Sequence, residues 1–383
     1  MAKPPTMEDV ARAAGASRST VSRVFRNGGE HVSPDAMIRI HEAAQRLGYV
    51  PNLVASGLAE REGRQLGLLI RDATNPAYGH LHAEMHRAVE ERGRTLLSVT
   101  ALRHDYGTAE TDGLRRLIGQ RVAGVFAATG VTAAEDLVES VPGTPMMIVG
   151  RPNDHPRIDS VSYDEAAHGR AVAERIAQLG HRRIAVLTAP LLYSRVFDLR
   201  MRSLVARCEE LGVRTRPIEL LPVEEGVVQA LDAAAAEDLT SIVCPVDYVA
   251  LDLLRAAARR GVRVPQDVST VGFDGLSDGL DLVGLATVRL PVEEVARRAV
   301  ARMEELLVAV QEDPEGPPST EPPMAQHDLV AGEFVPGRSL GPPPRGGGSA
   351  TPALTCIDAG HRSAGTGDRR HSEDYRGRHE DEQ

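Results

Sequence analysis

Apolar positions in the first fifty residues recur at helical spacing, in short runs punctuated by capping residues. Within 7–26, MEDVARAAGASRSTVSRVFR, Val10, Ala11 and Ala14 fall on one helical face, and Val21 and Val24 on a second. Thr6 stands where an N-cap belongs, and Asp9, three residues on, can return the bond as in a capping box. Gly15 ends the first helix, because glycine accepts the left-handed conformation of a C-cap; Ser17 caps the second. Ser33 and Pro34 open a third helix whose inner face takes Met37, Ile40, Ala44 and Leu47, and Gly48 closes it. The outward face of the second helix carries Arg18, Ser19, Ser22, Arg23 and Arg26. Two short helices, a tight turn and an exposed row of donors make a helix-turn-helix, whose second helix fits a DNA major groove.

From Gln65 onward the period changes to continuous apolar runs alternating with amphipathic stretches. Strands are expected at 66–70, 95–101, 122–128, 145–150, 160–163, 184–189, 218–221, 241–246, 269–273, 285–290 and 329–335. Helices are expected at 76–92, 108–120, 133–140, 164–179, 195–211, 224–236, 248–260 and 292–310. Strands apolar on both faces between such helices mean parallel sheets covered on both sides. The stretch is too long for one comfortable core, so two sheets are expected. The chain then reads as an α/β protein in four parts: an all-α headpiece at 1–50, a hinge helix and linker at 51–64, a two-lobed core of doubly wound parallel sheets at 65–340, and a tail at 341–383. The tail has almost no apolar residues and reads as disordered.

Composition adds three constraints. The net charge of −10 gives no electrostatic footprint for nucleic acid, but residues 1–64 hold nine Lys/Arg against seven Asp/Glu, a small local excess that a dimer would double. Three widely spaced cysteines, Cys208, Cys244 and Cys356, suggest reduced thiols and a cytoplasmic protein. No apolar run is long enough to span a bilayer and no signal peptide is evident, so no membrane partner is expected.

Ligands of open parallel sheets bind beyond the carboxyl ends of the strands. That rule selects Asp72, Asn75, Thr129, Arg151, Asp247 and Asp274, with Arg200 and Arg202 on the helix after 184–189. Tyr78, Tyr193, Phe197 and Tyr248 could stack on a ring. Paired carboxylates, arginines and one apolar wall suit a hydroxyl-rich ligand. His80, His82 and His86 form HxHxxxH, but only His82 and His86 share a helix face, so a structural role is preferred to a metal site. No nucleophile elbow, P-loop or dinucleotide fingerprint is present, and neither enzyme activity, cofactor nor metal is expected.

The stretches MEDVARAAGASRSTVSRVFRN, HVSP and LGYVPNLVASGLA resemble the lac repressor family of bacterial transcription regulators. Asn75-Pro76, Val149-Gly150-Arg151, LGHRRI (179–184), RVPQDVS (263–269) and VGFD (271–274) extend the likeness through the core to about Phe334. The resemblance implies a core built like periplasmic sugar-binding proteins and a homodimer that represses transcription from an approximately palindromic double-stranded operator. A small molecule, a sugar or related metabolite, would bind between the lobes and control operator affinity. Arg18, Ser19 and Arg23 would read bases. Thr6, Ser17, Thr20, Ser22, Asn27, Tyr49 and Asn52 would contact phosphates. Leu58 would be the minor-groove wedge, on a hinge helix that Gly57 weakens by roughly 1 kcal/mol relative to alanine. Asp72, Tyr78, Thr129, Arg151, Tyr193, Arg200, Asp247 and Asp274 would hold the effector; Arg200 and Asp274 match the family's contacting arginine and aspartate. Val246 stands where the family shows Asn, which removes an amide that often touches a sugar hydroxyl, and Tyr78 stands for the usual Phe. The alternative is a small-molecule sensor with a vestigial headpiece.

Overall fold

The computed structural model describes residues 5–26, 31–49, 65–101, 106–130, 132–189, 194–220, 222–312 and 324–344. Asn27, Asn52, Leu58 and Tyr193, the hinge segment and the tail from 345 lie outside the described residues. No helix among those described is long and apolar enough to cross a membrane.

The headpiece is three helices, α1 (Met7–Ala14), α2 (Arg18–Arg26) and α3 (Pro34–Leu47). The capping box forms: Thr6 N–H donates to Asp9 Oδ2 at 2.9 Å and Asp9 N–H to Thr6 Oγ1 at 3.3 Å. Gly15 (φ 64°) and Gly48 (φ 65°) close α1 and α3 in the left-handed region. Val10, Ala11, Ala14, Val21, Val24, Ile40, Ala43 and Ala44 form one small core. Leu47, expected on the inner face, is 40% exposed. The last turn of α3 carries it past the contact with α1 and α2, and Tyr49, returned by Gly48, packs instead on Phe25 at 5.8 Å between ring centroids. Thr6→Ala is expected to lower the local opening free energy of α1 by about 1 kcal/mol. Amide exchange of Val10 to Ala14 in the full chain measures it.

The core contains two parallel sheets. The first runs β11-β5-β4-β3-β1-β2, from β1 (Gln65–Ile70), β2 (Thr95–Thr100), β3 (Gly124–Ala128), β4 (Met146–Val149), β5 (Asp159–Tyr163) and β11 (His327–Val330). The second runs β7-β6-β8-β9, from β6 (Arg183–Thr188), β7 (Arg214–Glu219), β8 (Ser241–Val243) and β9 (Ser269–Val271). β10 (Thr287–Arg289) and β12 (Glu333–Val335) pair antiparallel, and the Val271–Ala286 bridge ties them to the second sheet. Helices α4 (Pro76–Glu90), α5 (Tyr106–Gly119), α6 (Ala134–Glu139) and α12 (Val292–Glu312) belong to the first lobe. Helices α7 (Glu165–Gln178), α8 (Arg195–Glu210), α9 (Val223–Ala236), α10 (Asp247–Arg259) and α11 (Leu280–Val283) belong to the second. Both faces of each sheet are covered by apolar clusters, as strands apolar on both sides require.

Two strands differ from the sequence reading. The run 329–335 is not one strand but β11 and β12, one in each lobe, joined through Ala331-Gly332. Only glycine passes at 332, because a Cβ there would overlap the Arg289 carbonyl oxygen. β7 spans 214–219 instead of 218–221, because it is an edge strand with a mostly exposed surface and carries no continuous apolar run. The chain thus crosses between lobes three times, at 163–165, 290–292 and 330–333. Asp164 N–H to Val330 O at 2.9 Å and Leu290 N–H to Asp274 O at 2.9 Å tie the crossovers together.

In both sheets the strand order reverses beside the first strand, between β1 and β3 and between β6 and β8. Those switch points open crevices at the carboxyl ends of their strands.

Candidate DNA-binding and effector sites

On the headpiece, Val21 and Val24 anchor α2 inward while Arg18, Ser19 and Arg23 are exposed. Neither arginine is engaged in an ion pair among the described residues. Ser17 Oγ accepts from Thr20 N–H at 3.1 Å and lies 2.7 Å from Ser19 Oγ and 2.8 Å from Thr20 Oγ1. The start of α2 is therefore a fixed cluster of hydroxyls with Arg18 projecting beside it. Thr6 Oγ1 donates to Asp9 Oδ2 at 2.6 Å, so its hydroxyl proton is held by the cap, and Tyr49 is half-buried.

Between the lobes lies a cavity of about 490 Å³, within the ~300–1,000 Å³ range of small-molecule sites. From the first lobe, Arg71 and Asp72 after β1, Thr129 after β3, and Asn75 and Tyr78 at the start of α4 line it. Asn75 caps α4 by accepting from Ala77 N–H at 2.9 Å, which fixes the turn that presents Tyr78. The first crossover adds Tyr163 and Glu165, and the second lobe adds Phe197, Arg200, Tyr248 and Asp274. The sequence reading thus brings together Asp72, Tyr78, Thr129, Arg200 and Asp274.

Arg151 and Asp247 stand outside the cavity lining. Arg151 is 3% exposed and turns away, donating to Thr132 O at 2.7 Å. Asp247 is 2% exposed and spends both oxygens internally. It accepts from Gly275 N–H at 2.7 Å and from Thr287 Oγ1 at 2.7 Å, holding the loop after β9 to β10. At both strand ends the side chain is taken up by partners inside its own lobe instead of by the cleft.

The floor of the cavity is a buried ion cluster. Arg200 Nε donates to Glu165 Oε2 at 2.6 Å and Arg200 Nη2 to Glu165 Oε1 at 3.1 Å, a bidentate pair. Arg200 Nη1 donates to Pro245 O at 2.5 Å and lies 3.4 Å from Asp274 Oδ1. The Phe273 ring covers the guanidinium at 4.7 Å. Helices α7 and α8 can bring Glu165 and Arg200 together because Gly169 lets them touch; a Cβ there would overlap the Arg200 carbonyl. His168 accepts from Gly332 N–H on Nε2 at 2.7 Å, so its proton sits on Nδ1, 3.4 Å from Glu165 Oε2.

Glu165, Arg71 and Tyr163 were missed by the strand-end rule. Tyr163 is the last residue of β5 and Glu165 opens the following helix, so the rule reaches both once the 160–163 strand is treated like the others.

Burial opposes charge on both Glu165 and Arg200, but each overcomes it through the other: Glu165 stays below its usual value and Arg200 above. Burial pushes Asp274 up to about 8 against the pull of Arg200, with Asp247 and Glu165 adding to the rise. Asp247 is pushed up to about 6 by burial, against its bonds to Thr287 and Gly275. Both aspartates therefore bind a proton more tightly folded than unfolded, where the ordinary value is 3.8. Their stabilising contribution is complete below that value and is lost as pH rises through 6 and 8. Thermal unfolding between pH 6 and 9 is expected to show a falling Tm, with a shallower fall in Asp274→Asn. Parallel profiles would mean that Asp274 is charged throughout. Thr129 Oγ1 and Tyr163 OH, on lining residues, have no hydrogen-bond partner among the described residues.

Among the described residues no group of three His, Cys, Asp or Glu could hold a metal ion. His82 and His86 stack edge to face at 6.3 Å, and His86 Nδ1 lies 3.4 Å from Glu90 Oε2.

Residues 6–52 match the family described as bacterial regulatory proteins, lacI family, and residues 173–339 match a periplasmic binding protein-like domain. Catabolite control protein A of Priestia megaterium is 28% identical over 70% of this chain and 82% of its own length. The ribose operon repressor of Lactococcus lactis is 29% identical over 71% of this chain and 81% of its length. Among solved structures, the lac repressor dimer bound to operator and the anti-inducer ONPF superposes with a TM-score of 0.71 at 23% identity, over 88% of this chain and 99% of that one. The CelR–cellobiose complex superposes with a TM-score of 0.59 at 25% identity, over 88% and 99%. A capped helix-turn-helix of the lacI family of bacterial regulatory proteins thus stands ahead of a periplasmic binding protein-like core, and the relatives that the whole arrangement resembles are transcriptional regulators and repressors.

Proposed function

We propose that the chain is a homodimeric repressor of transcription that binds an approximately palindromic operator through its headpieces. A small hydroxyl-rich effector in the interlobe cavity controls operator affinity. The observation that carries the reading is the exposed Arg18–Arg23 face on a firmly capped helix-turn-helix, in one chain with a ligand-sized cleft. Arg18, Ser19 and Arg23 read base edges, while Ser17, Thr20, Ser22, Asn27, Tyr49 and Asn52 hold the phosphates. Thr6 acts on phosphates through its capping turn. Leu58, on a hinge helix within 51–64, wedges into the minor groove at the operator centre. Ribose operon repressors and a cellobiose-bound regulator among the relatives support a sugar or sugar derivative as effector. Asp72, Tyr78, Thr129, Arg200 and Asp274 contact it, with Phe197 and Tyr248 as the stacking wall. The protein acts in the cytoplasm and has no catalytic role. The sensor with a vestigial headpiece is disfavoured by the intact arginine face of α2.

Effector binding changes the lobe angle and biases the hinge, a coupling of about 1–3 kcal/mol, or 5–150-fold in operator affinity. The direct test is selection of bound duplexes from a random pool by the purified chain. An enriched inverted repeat is expected. No enrichment by a folded dimer would return the sensor reading. A thermal-shift screen against pentoses, hexoses and disaccharides finds the effector through the linkage of binding to stability.

A further inference from the structure

Among the described residues, two side chains on the cavity wall end in buried hydroxyls with no hydrogen-bond partner: Thr129 Oγ1 and Tyr163 OH. Low exposure does not set them apart, since a cleft closed around its own walls hides most of its lining; the missing partner does. Thr129 follows β3 and Tyr163 ends β5, with β4 between them in the sheet. Their backbones therefore stand two strands apart, about 10 Å. Between them, just past the end of β4, the wall is Gly150, which adds no side chain. Its φ of 79° lies in the left-handed region, where a side chain is strained. A Cβ at 150 would sit 3.4 Å from Tyr163 Cε2 and 4.0 Å from Cζ, the carbon that bears the hydroxyl. The wall thus has a bare strand end flanked by two hydroxyls. The Tyr163 ring belongs to the apolar core of the first lobe, where a phenylalanine ring would fill the same place. A buried hydroxyl left unbonded is a net cost to the fold. Burial and the facing carboxyls of Glu165 and Asp274 hold the phenol well above its ordinary range, against the pull of Arg200, so it stays neutral. Both hydroxyls can then donate or accept, as the hydroxyl of a sugar does.

We infer that Tyr163 is a specificity-determining residue of the effector site: with Thr129 it selects an occupant that carries a hydroxyl on the edge lying over Gly150. The inference rests on reading the cavity as the effector site, and adds to that reading a required group at a stated place on the wall. Arg200 and Asp274 hold the effector from the second lobe, and Tyr163 and Thr129 hold it from the first. Tyr163 also stands at the start of the first crossover, so a bond to its hydroxyl acts on the joint about which the lobes turn. The discrimination comes from the oxygen. An analogue without that hydroxyl leaves the wall groups unpaired inside a closed cleft, and a site built to bond a hydroxyl rejects such an analogue far more strongly than an apolar pocket rejects a missing methylene.

Tyr163→Phe, which removes only the oxygen, is the test. In the empty full chain it is expected to leave the urea midpoint unchanged or to raise it, since no bond within the protein is lost. A midpoint lowered beyond measurement error overturns the inference, because the hydroxyl would then be serving the fold. Calorimetric titration then takes ribose, xylose, glucose, galactose, cellobiose and maltose, and pairs each one that binds with its monodeoxy analogues. The wild type is expected to bind one of its deoxy analogues at least about fivefold more weakly than the parent sugar. Tyr163→Phe is expected to lose at least about fivefold on the parent and to bind that analogue no more weakly than the wild type does. A variant that keeps the parent's affinity overturns the inference and leaves the effector site standing. So does a variant that weakens parent and every analogue alike, or a wild type indifferent to the loss of each hydroxyl. A wild type that binds none of the six sugars overturns the sugar reading of the cavity, and the inference with it. The two failures are told apart because the first is seen only with a bound parent.

Discussion

An Arg200→Ala protein is expected to unfold about 3–5 kcal/mol more easily than its parent, the cost of removing one partner from a buried ion pair. The substitution strands Glu165, whose side chain is 0% exposed, removes the donor to Pro245 O, and empties the space beside Phe273. Urea unfolding followed by far-UV circular dichroism measures it, since the chain has no Trp. A double variant, Glu165→Leu with Arg200→Met, should recover much of the loss, because apolar replacement of both partners is often near neutral. A loss below about 1 kcal/mol for Arg200→Ala would be typical of an exposed pair and would contradict the buried cluster. The size of the expected effect also affects how an effector screen is read. Failure of Arg200→Ala to respond to a ligand would reflect a damaged core as much as a lost contact. Asp72→Asn or Thr129→Val is the more informative probe of effector contact.

Replacing Arg18 and Arg23 together by alanine is expected to abolish selective operator binding while leaving weak non-specific affinity. Each arginine–guanine contact is worth about 1–3 kcal/mol, and a dimer presents each twice. Affinity for the selected duplex should fall by two orders of magnitude or more, and the preference for it over a scrambled duplex should collapse with it. Thr20→Val should instead weaken both duplexes together, as loss of a phosphate contact does. Titrations at one fixed salt concentration compare them, because the electrostatic part shifts with salt. Retained preference in the double arginine variant would move base readout to another face of the headpiece.

The headpiece was legible because its signals are local. Thr6–Asp9, Gly15, Ser33 and Gly48 each act within four residues, and each cap is found where the pattern puts it. The alternation of the core was legible for the same reason, since strands covered on both faces must be apolar throughout. What failed was non-local. Nothing within 329–335 says that its two halves enter different sheets; that depends on the crossovers at 163–165 and 290–292 lying beside it. β7 was misread because an edge strand need not be apolar. At the cavity, strand-end position located Asp72, Thr129 and Asp274, but it could not tell which carboxyls face the cavity and which are consumed by the protein. Asp247 and Asp274 stand at equivalent strand ends, yet one holds Gly275 and Thr287 while the other lines the cavity. Arg200 was recognised by resemblance, but its occupation by Glu165, 35 residues earlier, is visible only once α7 packs on α8.

The three crossovers also order events at the ribosome. The first lobe needs α12, which carries Val295, Ala299 and Met303 onto its sheet, and β11, which covers the edge of β5. These segments are made only after the intervening second lobe, so 128 residues separate Tyr163 from Val292. At elongation rates of about 5–20 residues per second, the nascent first sheet waits roughly 6–26 s with one face covered only by Leu81, Met85 and Val89 of α4. The second lobe waits too, for β12. Neither lobe can be completed before the other, so both close only near the end of synthesis, when α12, β11 and β12 have been made. The headpiece has no such delay: its three helices are contiguous and their partners emerge together.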